Sequence, residues 1–199
     1  MKAVAEALSA IMLLGVMIGV VSSVYFWGLP LVQKNKDVTS LRASESFMNE
    51  LANKIKEVVN SPGRQKLTIR VSGEVSFDGT QENQFTLTVK TDSTIYSIGG
   101  LIPLGRNDCS PNTGTFGMQD YATLCMISNR VGEKFETIYK LKFIQLDTEG
   151  IDSFKIAFSG TPNLAQETHV ITIENTGTTT EDVDTRKIRT AHISVDIGV

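Results

Sequence analysis

The sequence predicts an α+β fold, with one long N-terminal apolar helix, kinked near Pro30, followed by an antiparallel β-sandwich-like globular domain. Three observations support this prediction: an uncharged apolar run, a one-sided apolar pattern that continues at helical spacing, and a later change to a period of two. A chain of 199 residues is long enough for one domain and an appendage. We therefore expect a helix over residues 1–62, apolar over 1–30 and amphipathic over 31–62, and a β-rich domain over 63–199.

The N-terminal run contains no Asp, Glu, Lys or Arg from Ala7 to Gln33. About 20 apolar residues at a rise of 1.5 Å cross the hydrocarbon core of a bilayer as a helix. A helix that is apolar on all sides must be surrounded by lipid or by other helices. Small residues at three- and four-residue spacings favour packing against other helices, because they let a neighbouring backbone approach closely; they are Gly15, Gly19, Ser22 and Ser23.

A removable signal peptide is the first alternative for this run. The apolar part of a signal peptide spans 7 to 15 residues and ends at a small-x-small cleavage site. Here the run is about twice that length and ends in the aromatic cluster Tyr25, Phe26 and Trp27. The signal-peptide interpretation therefore fits poorly, and we expect the segment to be retained.

The second half of the helix follows Pro30, where the missing amide hydrogen predicts a kink or a short unwound stretch around Gly28–Pro30. Beyond it, apolar residues recur at three- and four-residue steps, and Asn60-Ser61-Pro62-Gly63 combines a capping residue type with two helix breakers. The stripe predicted to face the domain comprises Leu41, Met48, Leu51, Ile55 and Val58, joined by Val38, Ala52 and Val59.

Alternating apolar and polar residues after Gly63 predict seven or eight strands that pack as a β-sandwich or a small barrel. Turn residues such as Asp78-Gly79, Glu149-Gly150 and Asn175-Thr176-Gly177 are expected to separate them. The alternation is clear in 67–71, 85–89 and 191–197, and further strand candidates are 94–98, 122–127, 138–146, 154–158 and 169–173.

Composition and motifs argue against several functions. A net charge of −3 without a cluster of Lys and Arg disfavours nucleic acid as a partner. The sequence contains no G-x-S-x-G elbow, phosphate-binding glycine loop or H-E-x-x-H motif, so we expect no enzymatic activity and no catalytic residues. Two cysteines and two distant histidines lack metal-ligand spacing, so we expect no metal site and no cofactor.

The first 30 residues resemble the N-terminal signature of archaeal type IV pilins and the related archaellins. The segment from Lys2 to Leu14, followed by Val20-Val21-Ser22-Ser23-Val24-Tyr25-Phe26-Trp27-Gly28, is similar to that signature. In this family a basic residue precedes a peptidase cleavage site, an acidic residue follows, and the apolar helix ends in aromatic residues. The resemblance implies leader cleavage between Lys2 and Ala3, which would make Glu6 the fourth mature residue, one place before the position usual in the bacterial branch. The alternative is that Met1 is the mature start.

The resemblance also implies the partners and the location of the protein. A precursor in the cytoplasmic membrane would meet the pilus assembly machinery, which consists of a prepilin peptidase, an assembly ATPase and a membrane platform. It would then become an extracellular cell-surface filament, a homopolymer of identical subunits used in cell adhesion or surface attachment. The residues expected to pack in the filament core are Glu6, Leu13, Leu14, Gly15, Val16, Gly19, Val20, Tyr25, Phe26 and Trp27.

Several alternatives remain open. The chain could be an archaellum filament subunit, or a single-pass membrane-anchored β-sandwich that binds a ligand. Glu6 could pair with a charge on a neighbouring subunit, or it could stay hydrated in the first helical turn, where its charge suits the helix dipole. Cys109 and Cys125 are expected to form a disulfide if the protein is extracellular, and to be two unrelated buried thiols otherwise.

Overall fold

A computed structural model describes residues 2–79, 83–105, 107–148, 152–160, 164–166, 170–183 and 186–198, with the backbone alone for 2–7 and 164–166. The chain begins with a single helix, α1 (Lys2–Asn60). Twelve strands follow in the described ranges: β1 (Arg64–Thr68), β2 (Glu74–Asp78), β3 (Gln84–Thr91), β4 (Ile102–Pro103), β5 (Thr113–Thr115), β6 (Ala122–Val131), β7 (Lys134–Phe143), β8 (Gln145–Asp147), β9 (Asp152–Ser159), β10 (Leu164–Gln166), β11 (Val170–Val183) and β12 (Arg186–Gly198).

Helix α1 runs through Pro30 without interruption. The expected unwound stretch at Gly28–Pro30 is therefore absent. The helical turns on either side of Pro30 are intact, and the helix tolerates the one hydrogen bond that proline cannot donate. The predicted amphipathic stripe is confirmed, since Leu41, Met48, Leu51, Ile55 and Val58 are all buried. The helix thus divides into an exposed first half and a second half that is packed into the β-rich domain.

The strands form two six-stranded sheets. The first sheet has the order β1-β11-β12-β9-β8-β5, and the second has the order β10-β2-β3-β7-β6-β4. Neighbouring strands are antiparallel except for two parallel pairs, β9 with β12 and β5 with β8. The fold is therefore α+β with mainly antiparallel sheets, as the alternating sequence pattern predicts.

One hydrophobic core joins the helix to both sheets. Phe158 on β9 of the first sheet contacts the rings of Phe77, Phe85 and Phe143 on the second sheet, at centroid distances of 5.8, 5.6 and 5.0 Å. Elsewhere, the buried stripe of α1 packs against strands of both sheets, including β1, β11, β3 and β7. The helix and the phenylalanine cluster together fill the space that the two sheets share.

Some predicted strand boundaries are wrong. Residues 94–98 form bends with an isolated bridge at Ile98, and the side chain of Tyr96 donates a hydrogen bond to Glu45 of the helix. Asn175-Thr176-Gly177 does not end a strand but forms an irregularity inside β11, where the register with β12 shifts. The predicted strand 138–146 is divided between β7 and β8, whereas β2, β4, β5 and β10 were missed. His169, at the start of the predicted strand 169–173, lies outside the described residues.

Candidate filament-packing surface

The first half of α1 is an apolar rod, which we define as residues Leu8–Val32. Every residue of its most apolar 18-residue window is unburied, and the rings of Phe26 and Trp27 are 82% and 83% exposed. The other large apolar side chains of the rod are also exposed; they include Leu13, Leu14, Val16, Val20 and Tyr25. The rod therefore offers an apolar surface on all of its sides.

The length of the rod matches a membrane as well as a helical bundle. Its 25 residues span about 37 Å at 1.5 Å each, which exceeds a hydrocarbon core of about 30 Å. Among the described residues, α1 is a helix that is long enough and apolar enough to cross a bilayer. Length and composition alone do not distinguish lipid from other helices as its surroundings.

Gly15 and Gly19 form a flat strip on the rod. Residues four apart lie on the same face of a helix, and Ser22 and Ser23 extend this strip by another turn. A Cβ atom added at either glycine would meet no atom within 4 Å. The chain itself leaves this space empty, so the strip is free to receive a second helix at close backbone distance.

Three of the predicted site residues lie before the rod. The backbones of Lys2, Ala3 and Glu6 belong to α1, and their side chains lie outside the described part of the structure. Leader cleavage at Lys2 and Ala3, and the pairing of Glu6, therefore stay predictions.

A polar junction holds α1 where the rod meets the β-rich domain. Asp37 is buried and accepts hydrogen bonds from both the backbone N–H and the hydroxyl of Ser93, each at 2.9 Å. One turn earlier, the amide of Gln33 donates to Asp92 at 3.1 Å. These contacts fix the segment after β3 against the helix, and so define where the exposed rod ends.

Two tyrosines continue the junction along the helix. The hydroxyl of Tyr139 donates to the backbone carbonyl of Leu41 at 2.9 Å, and that of Tyr96 donates to Glu45 at 3.1 Å. The two rings meet edge to face with centroids 6.3 Å apart. Burial is the main reason why the pKa of each tyrosine is raised above its ordinary value, so both hydroxyls keep their protons and remain donors at neutral pH.

The C-terminal end of α1 is held by a side chain of the first sheet and by one from the connection between β5 and β6. The amide of Asn175 on β11 donates to the backbone carbonyl of Val58 at 3.0 Å, and Lys56 forms an ion pair with Asp120. The carbonyl of Val58 lies in the last turn, where the helix supplies no partner for it. The second half of α1 is thus fixed at both of its ends.

The predicted disulfide is confirmed. The sulfur atoms of Cys109 and Cys125 lie 2.03 Å apart. The bond closes a loop between two residues that are 16 positions apart in the sequence. Cys125 lies on β6 of the second sheet, whereas Cys109 belongs to the segment between β4 and β5. The bond therefore ties a long connection to the sheet.

The sequence contained a signal for the polar junction that apolar periodicity alone does not reveal. Asp37 and Ser44 occupy the same helical stripe as Leu41 and Met48, at three- and four-residue steps, and both are buried. A polar residue on an apolar stripe must find a partner when it is buried, because an unpaired group costs about 1–3 kcal/mol. The identity of the partner, Ser93, could not be read from the sequence.

Comparison with known proteins gives no relative for this chain. No protein-family model matches it, and neither the search of curated proteins nor that of solved structures found a match.

Proposed function

We propose that the protein is a structural subunit of an extracellular type IV pilus-like filament, which polymerises through its apolar rod and serves in adhesion or surface attachment. The observation that carries the proposal is the division of α1: its second half is buried in the β-rich domain, while its first half is exposed on all sides. A rod of this kind needs a partner, and identical rods of other copies supply one.

The area of the rod provides a driving force for polymerisation. Burial of apolar surface contributes roughly 25 cal/mol per Å², so covering a rod of this size gives tens of kcal/mol before the entropy of association is subtracted. Contacts between unlike sides of neighbouring copies extend a helical array when the rotation does not close. A filament therefore covers the apolar surface of the rod in water, and no closed oligomer is needed.

In this proposal the two sheets act as the layers of a β-sandwich on the outside of the filament. The contacts of Phe158 with Phe77, Phe85 and Phe143 support that arrangement, because they join one sheet to the other. A kink at Pro30 would set the angle between the rod and the sandwich. Proline has no backbone N–H, so one hydrogen bond of the helix is missing there, and this supports a kink.

The proposed route to the filament begins in the cytoplasmic membrane, where the rod would hold the precursor. A prepilin peptidase would cleave the leader, and an assembly ATPase with its membrane platform would move the subunit into the fibre. The disulfide between Cys109 and Cys125 supports a final location outside the reducing cytosol.

A single-pass membrane protein is the second candidate, because the rod is long and apolar enough to cross a bilayer. In that case the β-rich domain would bind its ligand from a membrane anchor. An archaellum subunit is a variant of the first candidate and would use the same rod for packing.

Substitutions on the glycine strip distinguish close helix packing from a membrane anchor. The double variant Gly15→Leu/Gly19→Leu should abolish fibres in negative-stain micrographs, because leucine side chains keep a neighbouring backbone away. Gly28→Leu is the matched control: it lies nine residues from Gly19, on the opposite side of the helix, and its surroundings are equally empty. Fibres of normal appearance from the double variant would contradict packing through the strip.

The acidic residue has its own test. Glu6→Gln removes the charge with little change of shape, so we expect slower assembly if Glu6 pairs with a cation of a neighbouring subunit. Assembly at the original rate would remove this pairing role and leave the rest of the proposal standing.

A further inference from the structure

A cleft lies at the end of α1 that is farthest from the rod. It has a volume of about 610 Å³ and is lined by Asn60, the last residue of the helix, together with Phe116, Tyr121, Phe154 and Arg189. This volume lies in the range of small-molecule sites, roughly 300–1,000 Å³. The proposed filament function does not use this cleft.

The floor of the cleft is built by cross-strand neighbours of the first sheet. Arg189 on β12 lies between Thr180 on β11 and Phe154 on β9. Two residues earlier on β12, Lys187 lies between Asp182 and Asp152. The register thus places an arginine beside an aromatic ring, and a lysine between two carboxylates.

These two cations differ in their surroundings. Both Arg189 and Lys187 are exposed and belong to no ion pair among the described residues. The charge of Lys187 is offset by its acidic neighbours on both strands, whereas the neighbours of Arg189 are neutral. Arg189 is therefore the cation of the cleft that is best able to attract an anionic group.

Aromatic rings form the walls. Tyr121 and Phe154 meet edge to face with centroids 5.7 Å apart, and the ring of Phe116 is 60% exposed. The turn that carries Phe116 is fixed, because its backbone N–H donates to the carbonyl of Asp147 at 3.0 Å and Gln119 accepts from the backbone N–H of Thr115 at 2.7 Å. An exposed ring on a fixed turn is a surface for stacking.

We propose that this cleft binds a carboxylated sugar unit, such as a uronic acid residue of an acidic polysaccharide. The apolar face of a sugar ring, whose C–H groups carry partial positive charge, packs on the negative face of an aromatic ring such as Phe116. The guanidinium of Arg189 matches a carboxylate in shape and charge. Asp152, Thr180 and Asn60 supply the acceptors and donors that sugar hydroxyls require.

Single-stranded nucleic acid also combines stacking with negative charge. The cleft fits it less well, because the carboxylates of Asp152 and Asp182 lie on either side of Lys187 and require hydrogen-bond donors from the ligand. These carboxylates can accept hydrogen bonds from the hydroxyls that every sugar unit carries, whereas the phosphodiester backbone of a DNA strand has no hydroxyl to donate to them.

The location of the cleft suits a ligand on an outside surface. Asn60 lies 28 residues beyond the end of the rod, which is about 42 Å along the helix. The cleft is therefore remote from any bilayer or bundle that covers the rod. It would be open to its ligand in a filament subunit and in a membrane-anchored protein alike, so a failure of sugar binding would not bear on polymerisation.

The test measures binding of trigalacturonic acid and of its methyl ester to the full chain in detergent micelles, by calorimetry. The acid should bind with a Kd on the order of 0.1–1 mM, and the uncharged ester should bind on the order of tenfold more weakly. Arg189→Gln should reduce the affinity for the acid to that for the ester and leave the ester unchanged. Phe116→Ala should weaken the binding of both ligands.

Arg70→Gln is the matched control, because Arg70 is also exposed but lies away from the cleft. It lies next to residues 32–43 of α1. It should leave both affinities unchanged. No binding of the acid at millimolar concentration, or equal binding by the Arg189→Gln variant, would overturn the proposal. Tighter binding of a short oligothymidylate that depends on Arg189 would assign the cleft to nucleic acid instead.

Discussion

At the scale of single residues, Gly160 marks a point where the chain has room for a hydrogen atom and nothing larger. It follows β9 and has a φ of +144°, which side chains of L-residues rarely adopt. A Cβ atom there would lie 2.0 Å from the backbone carbonyl oxygen of Val195 on β12. The parallel pairing of β9 and β12 brings these two backbones together, so the glycine is required by the sheet.

We expect Gly160→Ala to lower the free energy of unfolding by more than about 2 kcal/mol, because neither the φ angle nor the carbonyl can yield without disturbing the sheet. Chemical denaturation followed by the β-sheet signal in circular dichroism measures this loss. The control is Gly100→Ala, since Gly100 has no atom within 4 Å of an added Cβ. Equal stability of the two variants would show that the close approach at Gly160 is incorrect.

The hydroxyl of Tyr139 makes stability sensitive to alkaline pH. Its folded-state pKa is raised chiefly by burial, so its stabilising contribution is complete below pH 10, the ordinary tyrosine value, and declines as the pH rises above it. Between pH 9 and 11 this one group should cost about 1 kcal/mol of stability.

Tyr139→Phe should therefore be slightly less stable than the original chain at pH 8, because the hydrogen bond to Leu41 is lost, but should lose less stability between pH 9 and 11. Denaturation curves at the three pH values provide the measurement. Tyr25→Phe serves as the control, because Tyr25 is exposed on the rod. An identical alkaline loss in the Tyr139→Phe variant would contradict the assignment.

At the scale of elements, α1 serves two different surroundings with one continuous helix. Its second half has a stripe of apolar residues that both sheets cover, while its first half has no stripe and no cover. The connection between β4 and β6 is a contrasting element: it contains little regular structure, and its attachments include the pairing of β5 with β8 and the disulfide of Cys109 and Cys125.

Reduction of this disulfide should lower the free energy of unfolding by about 3 kcal/mol, because a closed loop of about 15 residues restricts the unfolded chain by that amount. Urea denaturation with and without a phosphine reductant measures the difference. The reductant should have no effect on a Cys109→Ser/Cys125→Ala variant. A reduced protein as stable as the oxidised one would contradict a stabilising role for the bond.

The helix and most strands of the sheets were predictable because their signals are local. An apolar run, a heptad-like stripe from Leu41 to Val58 and strict alternation each reflect which side of an element is buried. Residues 94–98 also contain strand-forming residue types, yet Ile95 and Ile98 are 44% and 57% exposed. Here the bonds of Ser93 to Asp37 and of Tyr96 to Glu45 outweigh the strand pattern, and those partners are more than 50 residues away.

Three of the missed strands and the cleft were unpredictable for a related reason. β4, β5 and β10 contain only two or three residues each, too few for a period to be recognised. Arg189 and Phe154 come together only through the parallel pairing of β9 with β12, a long-range connection that no local pattern specifies. Similarly, the glycine strip of the rod was visible in the sequence, but the empty space around it was not.

At the scale of the whole molecule, the surface is too large for a compact monomer. The accessible area is 12570 Å², whereas a compact chain of 21.8 kDa is expected to expose about 9,300 Å². The extended apolar rod contributes much of this excess. The apolar surface of the rod is stabilised when it is removed from water. In the proposed filament, the rods of neighbouring copies cover it.

The most direct measurement is a cryo-EM reconstruction of detergent-free material released from cells by shearing. We expect a fibre whose centre consists of rods from neighbouring copies, with Gly15 and Gly19 facing an adjacent helix and the β-rich domains outside. A uniform population of single, lipid-free particles that retain residues 8–32 would contradict polymerisation through the rod.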